Sequence, residues 1–145
     1  MEKIDPQKAA RVWQRVQGSG GPDMALLQQV LLEERMTGGG WRALSRNLPG
    51  QRELLQQLYR QSRERCDCLR GICVLVTGTA PEAVQLPLKQ ESVQGLLRAG
   101  YRQLIRCLAR YEAWQTEGEY GPVFVRLAEQ TREHCRCALQ LLGGL

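Results

Sequence analysis

The sequence predicts an all-α protein built as a bundle of four long helices. Through four long segments, apolar residues recur at alternating spacings of three and four, which places them on one face of a helix. No segment shows the alternating pattern of a half-buried strand. Glycine and proline stand between the segments, where helices begin or end. Together these features favour a helical bundle over any mixed or all-β fold.

Length and composition fit one globular domain. A chain of 145 residues is long enough to bury one core but not two. With 43% hydrophobic and 24% charged residues, its composition is that of an ordinary soluble protein. The first residues lack an apolar run of signal-peptide length, and no window reaches the roughly 18 apolar residues of a spanning helix. We therefore expect a single cytoplasmic domain over residues 1–145, without membrane association.

Charge and cysteine content narrow the classes of function. The chain has 20 Lys and Arg against 15 Asp and Glu, a net charge of +5. Because the basic residues are scattered among acidic ones, we expect a solvated surface and not a nucleic-acid footprint. The six cysteines would indicate disulfides in a small secreted protein. Without a secretion signal, we expect reduced thiols.

A short amphipathic helix is predicted at the N terminus, within residues 1–18. Asp5 can cap it, with Pro6 in its first turn, and Gly18 ends it. We expect its apolar stripe to dock on the bundle or on a second copy of the chain, which favours a homodimer or another protein as partner. The stripe consists of Ala9, Val12, Trp13 and Val16.

The first helical hairpin is predicted over residues 24–77. Asp23 can cap its first helix, which stops at residues 47–50, and its second helix continues to about Thr77. The inward row of the first helix is Leu27, Val30, Leu31, Glu34, Gly38, Trp41 and Ser45. The inward row of the second is Leu55, Leu58, Ser62, Arg65, Cys66, Leu69, Cys73 and Val76.

The second hairpin is predicted over residues 91–145. Its first helix begins near Glu91 and ends at Gly118, and its second begins near residues 120–122 and continues to Gly143. The inward row of the third long helix is Leu97, Tyr101, Leu104, Cys107, Leu108 and Tyr111. That of the fourth is Phe124, Leu127, Thr131, His134, Cys135, Ala138 and Leu142.

The linker between the hairpins, residues 78–90, predicts how they are arranged. It contains two prolines and can extend over roughly 40 Å, which matches a helix of about 27 residues. A linker of this reach allows the second and third long helices to run parallel. We therefore expect a crossover that lies along the bundle.

An internal repeat relates the two hairpins. Residues 62–69 read Ser-Arg-Glu-Arg-Cys-Asp-Cys-Leu, and residues 131–138 read Thr-Arg-Glu-His-Cys-Arg-Cys-Ala. Both segments lie in the second helix of their hairpin. Glu34 and Leu104 also match, since each stands seven residues before an aromatic side chain. The chain therefore resembles a duplicated helical hairpin.

With this repeat the chain resembles the ferritin-like superfamily, and within it the rubrerythrin-related proteins, over about residues 24–142. Those proteins hold two metal ions with a Glu on the first helix of each hairpin and a Glu-x-x-His on the second. The resemblance implies a four-helix bundle with one long crossover. It also implies that a metal site once occupied six positions, which in this chain are Glu34, Ser62, Arg65, Leu104, Thr131 and His134.

Only two of these six positions, Glu34 and His134, keep a family ligand. One carboxylate and one imidazole cannot neutralise two divalent ions, and Arg65 would place a positive charge where the metal charge used to lie. We therefore expect no cofactor and no catalytic residue. Instead, Glu34 and Arg65 should form a buried ion pair. Hydrogen bonds from Ser62, Thr131 and His134 would complete a polar plug.

The depleted ligand set favours a non-catalytic bundle that acts as a structural or partner-binding protein, and three alternatives stay open. A rubrerythrin-like oxidoreductase with iron or manganese would need further acids, such as Glu64, Glu112 or Glu133. A mononuclear metal site, for example for zinc, could use Glu34, His134 and a thiolate. A basic bundle that protects DNA is the third.

Three cysteines are predicted to face inward near the former metal position: Cys66, Cys107 and Cys135. The two cysteines of a Cys-x-Cys motif project about 200° apart on a helix, so they cannot both bind one ion. Each inward cysteine acts either as a small buried hydrophobe or as part of a redox-active thiol cluster across helices.

Three successive glycines at residues 38–40 interrupt the first long helix, and each costs about 1 kcal/mol relative to alanine. Two explanations stay open. Either the glycines allow close packing under a bulky side chain such as Trp41 or Trp114, or they allow a kink that makes room for a ligand.

Overall fold

The computed structural model describes residues 22–81, 92–116 and 118–144. The predicted N-terminal helix, residues 82–90 of the predicted crossover, and Glu91, the predicted start of the third long helix, lie outside the described residues. Within the described ranges all regular structure is helical, as the periodicity predicts. The four long helices are α1 (Met24–Asn47), α2 (Arg52–Thr77), α3 (Val93–Gln115) and α4 (Gly121–Gly143), and a 3-10 turn, Pro49–Gln51, joins α1 to α2.

Local signals in the sequence fix the ends of these helices. Asp23 caps α1, because its carboxylate accepts a hydrogen bond of 2.9 Å from the backbone N–H of Ala25. Ser92 caps α3 in the same way, accepting from Gly95 at 3.0 Å. At the end of α2, Gly78 has a φ of 78°, a left-handed conformation that glycine adopts without strain.

In the part of the chain that the structure describes, the core consists of two apolar clusters, one towards each end of the bundle. We call them the Phe124 cluster and the Trp41 cluster. Other buried members of the Phe124 cluster are Leu27, Val30, Leu31, Cys66, Leu69, Ile72, Cys73, Val76, Cys107, Tyr111, Trp114, Leu127 and Ala128. Those of the Trp41 cluster are Leu44, Leu55, Leu58, Leu97, Leu104, Cys135, Ala138 and Leu141.

The composition of the clusters gives the helix directions. The Phe124 cluster combines the first halves of α1 and α4 with the last halves of α2 and α3. The Trp41 cluster combines the opposite halves. The helices α2 and α3 therefore run parallel to each other and antiparallel to α1 and α4, as the linker length predicts. In the described part of the chain, α1 packs against α2 and α3, and α4 packs against α3 and α2.

The predicted inward rows are buried with three exceptions. Tyr101, Leu108 and Leu142 are only partly buried and pack against the edge of the Trp41 cluster. The described helices bury further residues that the rows omit, among them Leu44 and Trp114. The period of the apolar pattern thus predicts the buried faces, and the exceptions lie at their edges.

Within the glycine run of α1, Gly38 packs closely against Ser62 of α2. A Cβ on Gly38 would lie 3.0 Å from Oγ of Ser62, whereas nothing lies within 4 Å of a Cβ on Gly39 or Gly40. Trp41 instead packs against Gly100 of α3, where a Cβ would lie 2.5 Å from the indole ring. Of the two open explanations, close packing therefore applies at Gly38, where the opposing side chain is Ser62, and α1 continues through the glycines as one helix.

Candidate functional site

A layer of buried polar side chains lies between the two apolar clusters. It includes Glu34 from α1, Ser62 and Arg65 from α2, and Thr131 and His134 from α4, each at most 1% exposed. These residues occupy positions within the apolar rows, so the helices turn them inward. Since a buried polar group is costly unless it is hydrogen-bonded, the partners of each one decide what the layer can do.

Glu34 and Arg65 form the predicted buried ion pair. Nε of Arg65 donates to Oε1 of Glu34 at 2.8 Å, and Nη2 donates to Oε2 at 3.2 Å. Two parallel charge-assisted hydrogen bonds fix both the orientation and the charge balance of the pair. Burial by itself lowers the pKa of Arg65, but the charge and hydrogen bonds of Glu34 outweigh it, so this pKa lies above its ordinary value. The guanidinium remains charged.

The carboxylate of Glu34 has two further donors. The hydroxyl of Tyr111 on α3 donates to Oε1 at 2.8 Å. The hydroxyl of Ser62 lies 3.1 Å from Oε2 and 3.0 Å from the backbone carbonyl oxygen of Glu34. Burial, followed by the negative charge of Glu34, raises the pKa of Tyr111 well above its ordinary value, so the phenol keeps its proton. All four helices therefore meet at the polar layer.

The other side of the Arg65 guanidinium faces α4. Its Nη1 donates to Oε1 of Gln130 at 2.8 Å and to Nδ1 of His134 at 2.9 Å. Burial, together with the charge of Arg65, lowers the pKa of His134 to about 3, so the imidazole is neutral. Because Nδ1 accepts from Arg65, the ring proton is assigned to Nε2, which donates to Oε1 of Gln61.

The network contains three side chains beyond the polar plug that the sequence predicts: Gln61, Tyr111 and Gln130. The two glutamines occupy matching positions, each just before Ser62 or Thr131, so extending the internal repeat by one residue would have found both. The apolar period predicts Tyr111 on the inward face, and its hydroxyl is the signal for a polar role, because a buried phenol requires a hydrogen-bond acceptor.

Two of the predicted site positions lie outside the network. The hydroxyl of Thr131 donates to the backbone carbonyl of Leu127 at 2.6 Å, within its own helix, so the prediction that it supports the ion pair was wrong. A buried hydroxyl satisfied by the preceding turn needs no partner across the bundle. Leu104 is 1% exposed and belongs to the Trp41 cluster, where it contributes only apolar packing.

The inward cysteines are buried free thiols. Burial is the largest effect on these thiols: it raises the pKa of Cys66 to about 12, and it also raises the pKa of Cys107 and of Cys135. Thiols of this kind carry little thiolate near neutral pH and are weak nucleophiles. Cys66 and Cys107 belong to the Phe124 cluster and Cys135 to the Trp41 cluster, so the structure divides the three cysteines between the two clusters.

The polar layer does not fit a two-metal centre. The Arg65 guanidinium contacts both Glu34 and His134, the two positions that keep a ligand type. Both ring nitrogens of His134 have protein partners, and a cation between Glu34 and His134 would have to displace Arg65. Among the residues the structure describes, no three His, Cys, Asp or Glu side chains form a group that could hold a metal ion.

Over residues 22–81, 92–116 and 118–144, the fold and the site together define an all-α four-helix bundle with a buried, hydrogen-bonded ion pair between two apolar clusters. None of the described helices combines the length and the apolar content needed to span a membrane. Comparisons with protein-family models, with curated proteins and with solved structures each gave no match.

Proposed function

We propose that this chain is a degenerate relative of the ferritin-like, rubrerythrin-related proteins and acts as a structural or partner-binding protein. In this proposal the polar layer replaces the di-metal site. The observation that carries it is the contact of Arg65 with both Glu34 and His134, at three positions that correspond to family ligands. A guanidinium supplies there the positive charge that metal ions supply in the family.

The arrangement of the helices supports the relationship. Parallel α2 and α3 are typical of ferritin-like bundles, in which one long crossover joins the two hairpins. Arg65 and His134 occupy equivalent positions of the internal repeat, and they contact each other directly. A duplicated hairpin that retains the symmetry of a shared central site would bring these two positions together.

The protonation states in the layer favour a structural role over acid–base catalysis. A general acid or base works best when its pKa lies near the operating pH. The pKa of His134 is lowered to about 3 and that of Cys66 is raised to about 12, so neither group titrates near neutrality. The Glu34 carboxylate is held by Arg65, Ser62 and Tyr111.

Chemical denaturation of variants tests whether the ion pair of Glu34 and Arg65 stabilises the fold where the family has metal ions. Arg65→Ala should lower the free energy of unfolding by roughly 3 to 5 kcal/mol, because it leaves a buried carboxylate without its counter-charge. The double variant Glu34→Leu with Arg65→Leu should lose much less, or even gain stability, because both desolvation costs are removed. Urea unfolding measures both values.

A matched control is Arg132→Ala, which breaks an exposed ion pair with Glu112 whose atoms lie 3.7 Å apart. An exposed pair contributes at most about 1 kcal/mol, so this variant should remain close to the parent protein. If Arg65→Ala is as mild as Arg132→Ala, or if the double variant is as unstable as Arg65→Ala, the ion pair is not what stabilises the layer.

A further inference from the structure

A groove with a volume of about 350 Å³ runs along the outer side of α1 and α2 and is lined by four arginines. Arg35 and Arg42 lie seven residues apart on α1, and Arg63 and Arg70 lie seven residues apart on α2. This spacing brings each pair to one face of its helix. Two basic stripes therefore face each other across the groove.

Three of the four arginines of the groove have no carboxylate partner among the described residues. Asp67 is the exposed carboxylate along its lining, and the charge of Glu34 at its floor is already paired with Arg65. Within the part of the chain that the structure describes, Arg42, Arg63 and Arg70 form no ion pair with a carboxylate. All three of these arginines are exposed residues.

Tyr59 orients two of these arginines at one end of the groove. The guanidinium carbon of Arg42 lies 5.6 Å from the centroid of the Tyr59 ring, and that of Arg63 lies 5.9 Å from it. Such cation–π contacts restrict two otherwise flexible side chains. Each guanidinium retains a planar fork of N–H donors that matches the oxygens of a phosphate group.

Gly39 keeps the floor of the groove open. It lines the groove next to Gly38, and nothing lies within 4 Å of a Cβ added to it. Internal packing therefore does not require glycine here, although glycine inside a helix costs about 1 kcal/mol relative to alanine. A side chain at this position would extend into the space that a ligand would occupy.

We propose that this groove binds a small molecule that carries a phosphate group, with the phosphate held between Arg42 and Arg63. The volume lies at the lower end of the range for small-molecule sites, about 300 to 1,000 Å³. It suits a compact phosphorylated ligand better than the long backbone of a nucleic acid. This inference goes beyond the proposed function and does not depend on the origin of the polar layer.

Titration calorimetry of the full chain with inorganic pyrophosphate, at about 0.15 M salt, tests the proposal. We expect saturable binding of one pyrophosphate per chain. Arg42→Ala with Arg63→Ala should weaken it at least about tenfold, since hydrogen bonds to charged groups are the strong ones. Gly39→Leu should weaken it to a similar extent without changing the charge, because the leucine side chain fills the groove.

A charge-matched control is Arg98→Ala with Arg102→Ala, which removes two exposed arginines of α3 that do not line the groove. It should change the affinity less than about twofold, and circular dichroism melts should show that all variants are folded. The proposal is overturned if this control weakens binding as much as the groove variant, or if Gly39→Leu binds normally. It is also overturned if citrate, duplex DNA or anionic lipid vesicles bind at the groove while pyrophosphate does not.

Discussion

Arg65 links three of the four helices through hydrogen bonds of a single side chain. From α2 it contacts Glu34 on α1, and it contacts Gln130 and His134 on α4. Tyr111 on α3 joins through Glu34. Because a hydrogen-bonded network has strict geometry, we expect this layer to help fix how these helices are aligned relative to one another.

His134 makes the stability of the bundle sensitive to acid. Its pKa is lowered from the ordinary value of 6.5 to about 3 in the folded protein, so the unfolded chain binds the extra proton first as the pH falls. The free energy of unfolding should therefore decrease as the pH falls from about 6.5 towards 3. Above about pH 6.5 the imidazole is neutral in both the folded and the unfolded chain, so His134 adds no pH dependence there.

The variant His134→Gln isolates this effect, because it keeps a polar side chain but does not titrate. The free energy of unfolding, measured in urea at pH 7 and pH 4.5, should fall less for the variant than for the parent protein. The carboxylates that titrate in the same window are common to both proteins. Equal losses in the two proteins would show that His134 is not held neutral by the fold.

The sequence was sufficient to predict the ion pair but not its complete environment. Glu34 and Arg65 stand in phase with buried apolar residues, so a helical period alone places both inside, where opposite charges must pair. Gln61 and Gln130 are only partly buried and stand outside the apolar rows. The internal repeat marks both positions, but their hydrogen-bond partners depend on how closely α2 and α4 approach each other, which a single sequence does not specify.

At the scale of elements, the contact between α1 and α3 depends on a glycine. A Cβ on Gly100 would lie 2.5 Å from the ring of the buried Trp41, so the two helices can approach only while that position lacks a side chain. Gly100→Ala should therefore lower the free energy of unfolding by about 1 to 3 kcal/mol, the usual cost of overpacking.

The control for this prediction is Gly71→Ala on α2, where nothing lies within 4 Å of the added Cβ and the residue is exposed. Alanine is the better helix former by about 1 kcal/mol, so this variant should gain stability. Urea unfolding of the two variants gives the comparison. If both variants gain stability to the same extent, α1 and α3 are not in close contact at this position.

The amphipathic segment at residues 1–18, which lies outside the described residues, gives a second prediction for an element. If its apolar stripe docks on the bundle or on a second copy, deleting residues 1–18 should lower the melting temperature or change the oligomer mass. Calorimetry and light scattering measure the two quantities. No change in either one would remove the docking role from this segment.

At the scale of the whole molecule, the helices and their directions follow from the sequence more closely than the interior does. Caps such as Asp23 and breakers such as Gly78 act locally, so the predicted ends of the first two long helices agree with the structure. The third helix begins at Val93 and ends at Gln115, within a few residues of its predicted ends. Helix ends fray and are set less sharply than helix faces.

Thr131 and Gly38 show two kinds of contact that the sequence does not specify. Thr131 faces inward as predicted, yet its hydroxyl bonds to the preceding turn of α4, an option that the helix itself supplies. The Gly38 position packs on Ser62 and not under a tryptophan, because the register between α1 and α2 decides which side chain is opposite. Register arises from the assembled bundle and not from any one helix.

The most direct measurement for the central claim is the metal content of the purified full chain after incubation with Fe(II), Mn(II) or Zn(II) and removal of unbound ions. Because Arg65 already occupies the space between Glu34 and His134, elemental analysis should find no stoichiometric metal, and Glu34→Leu should give the same result as the parent protein. About one or two ions per chain in the parent protein, lost in Glu34→Leu, would contradict the account and restore a metal-binding function.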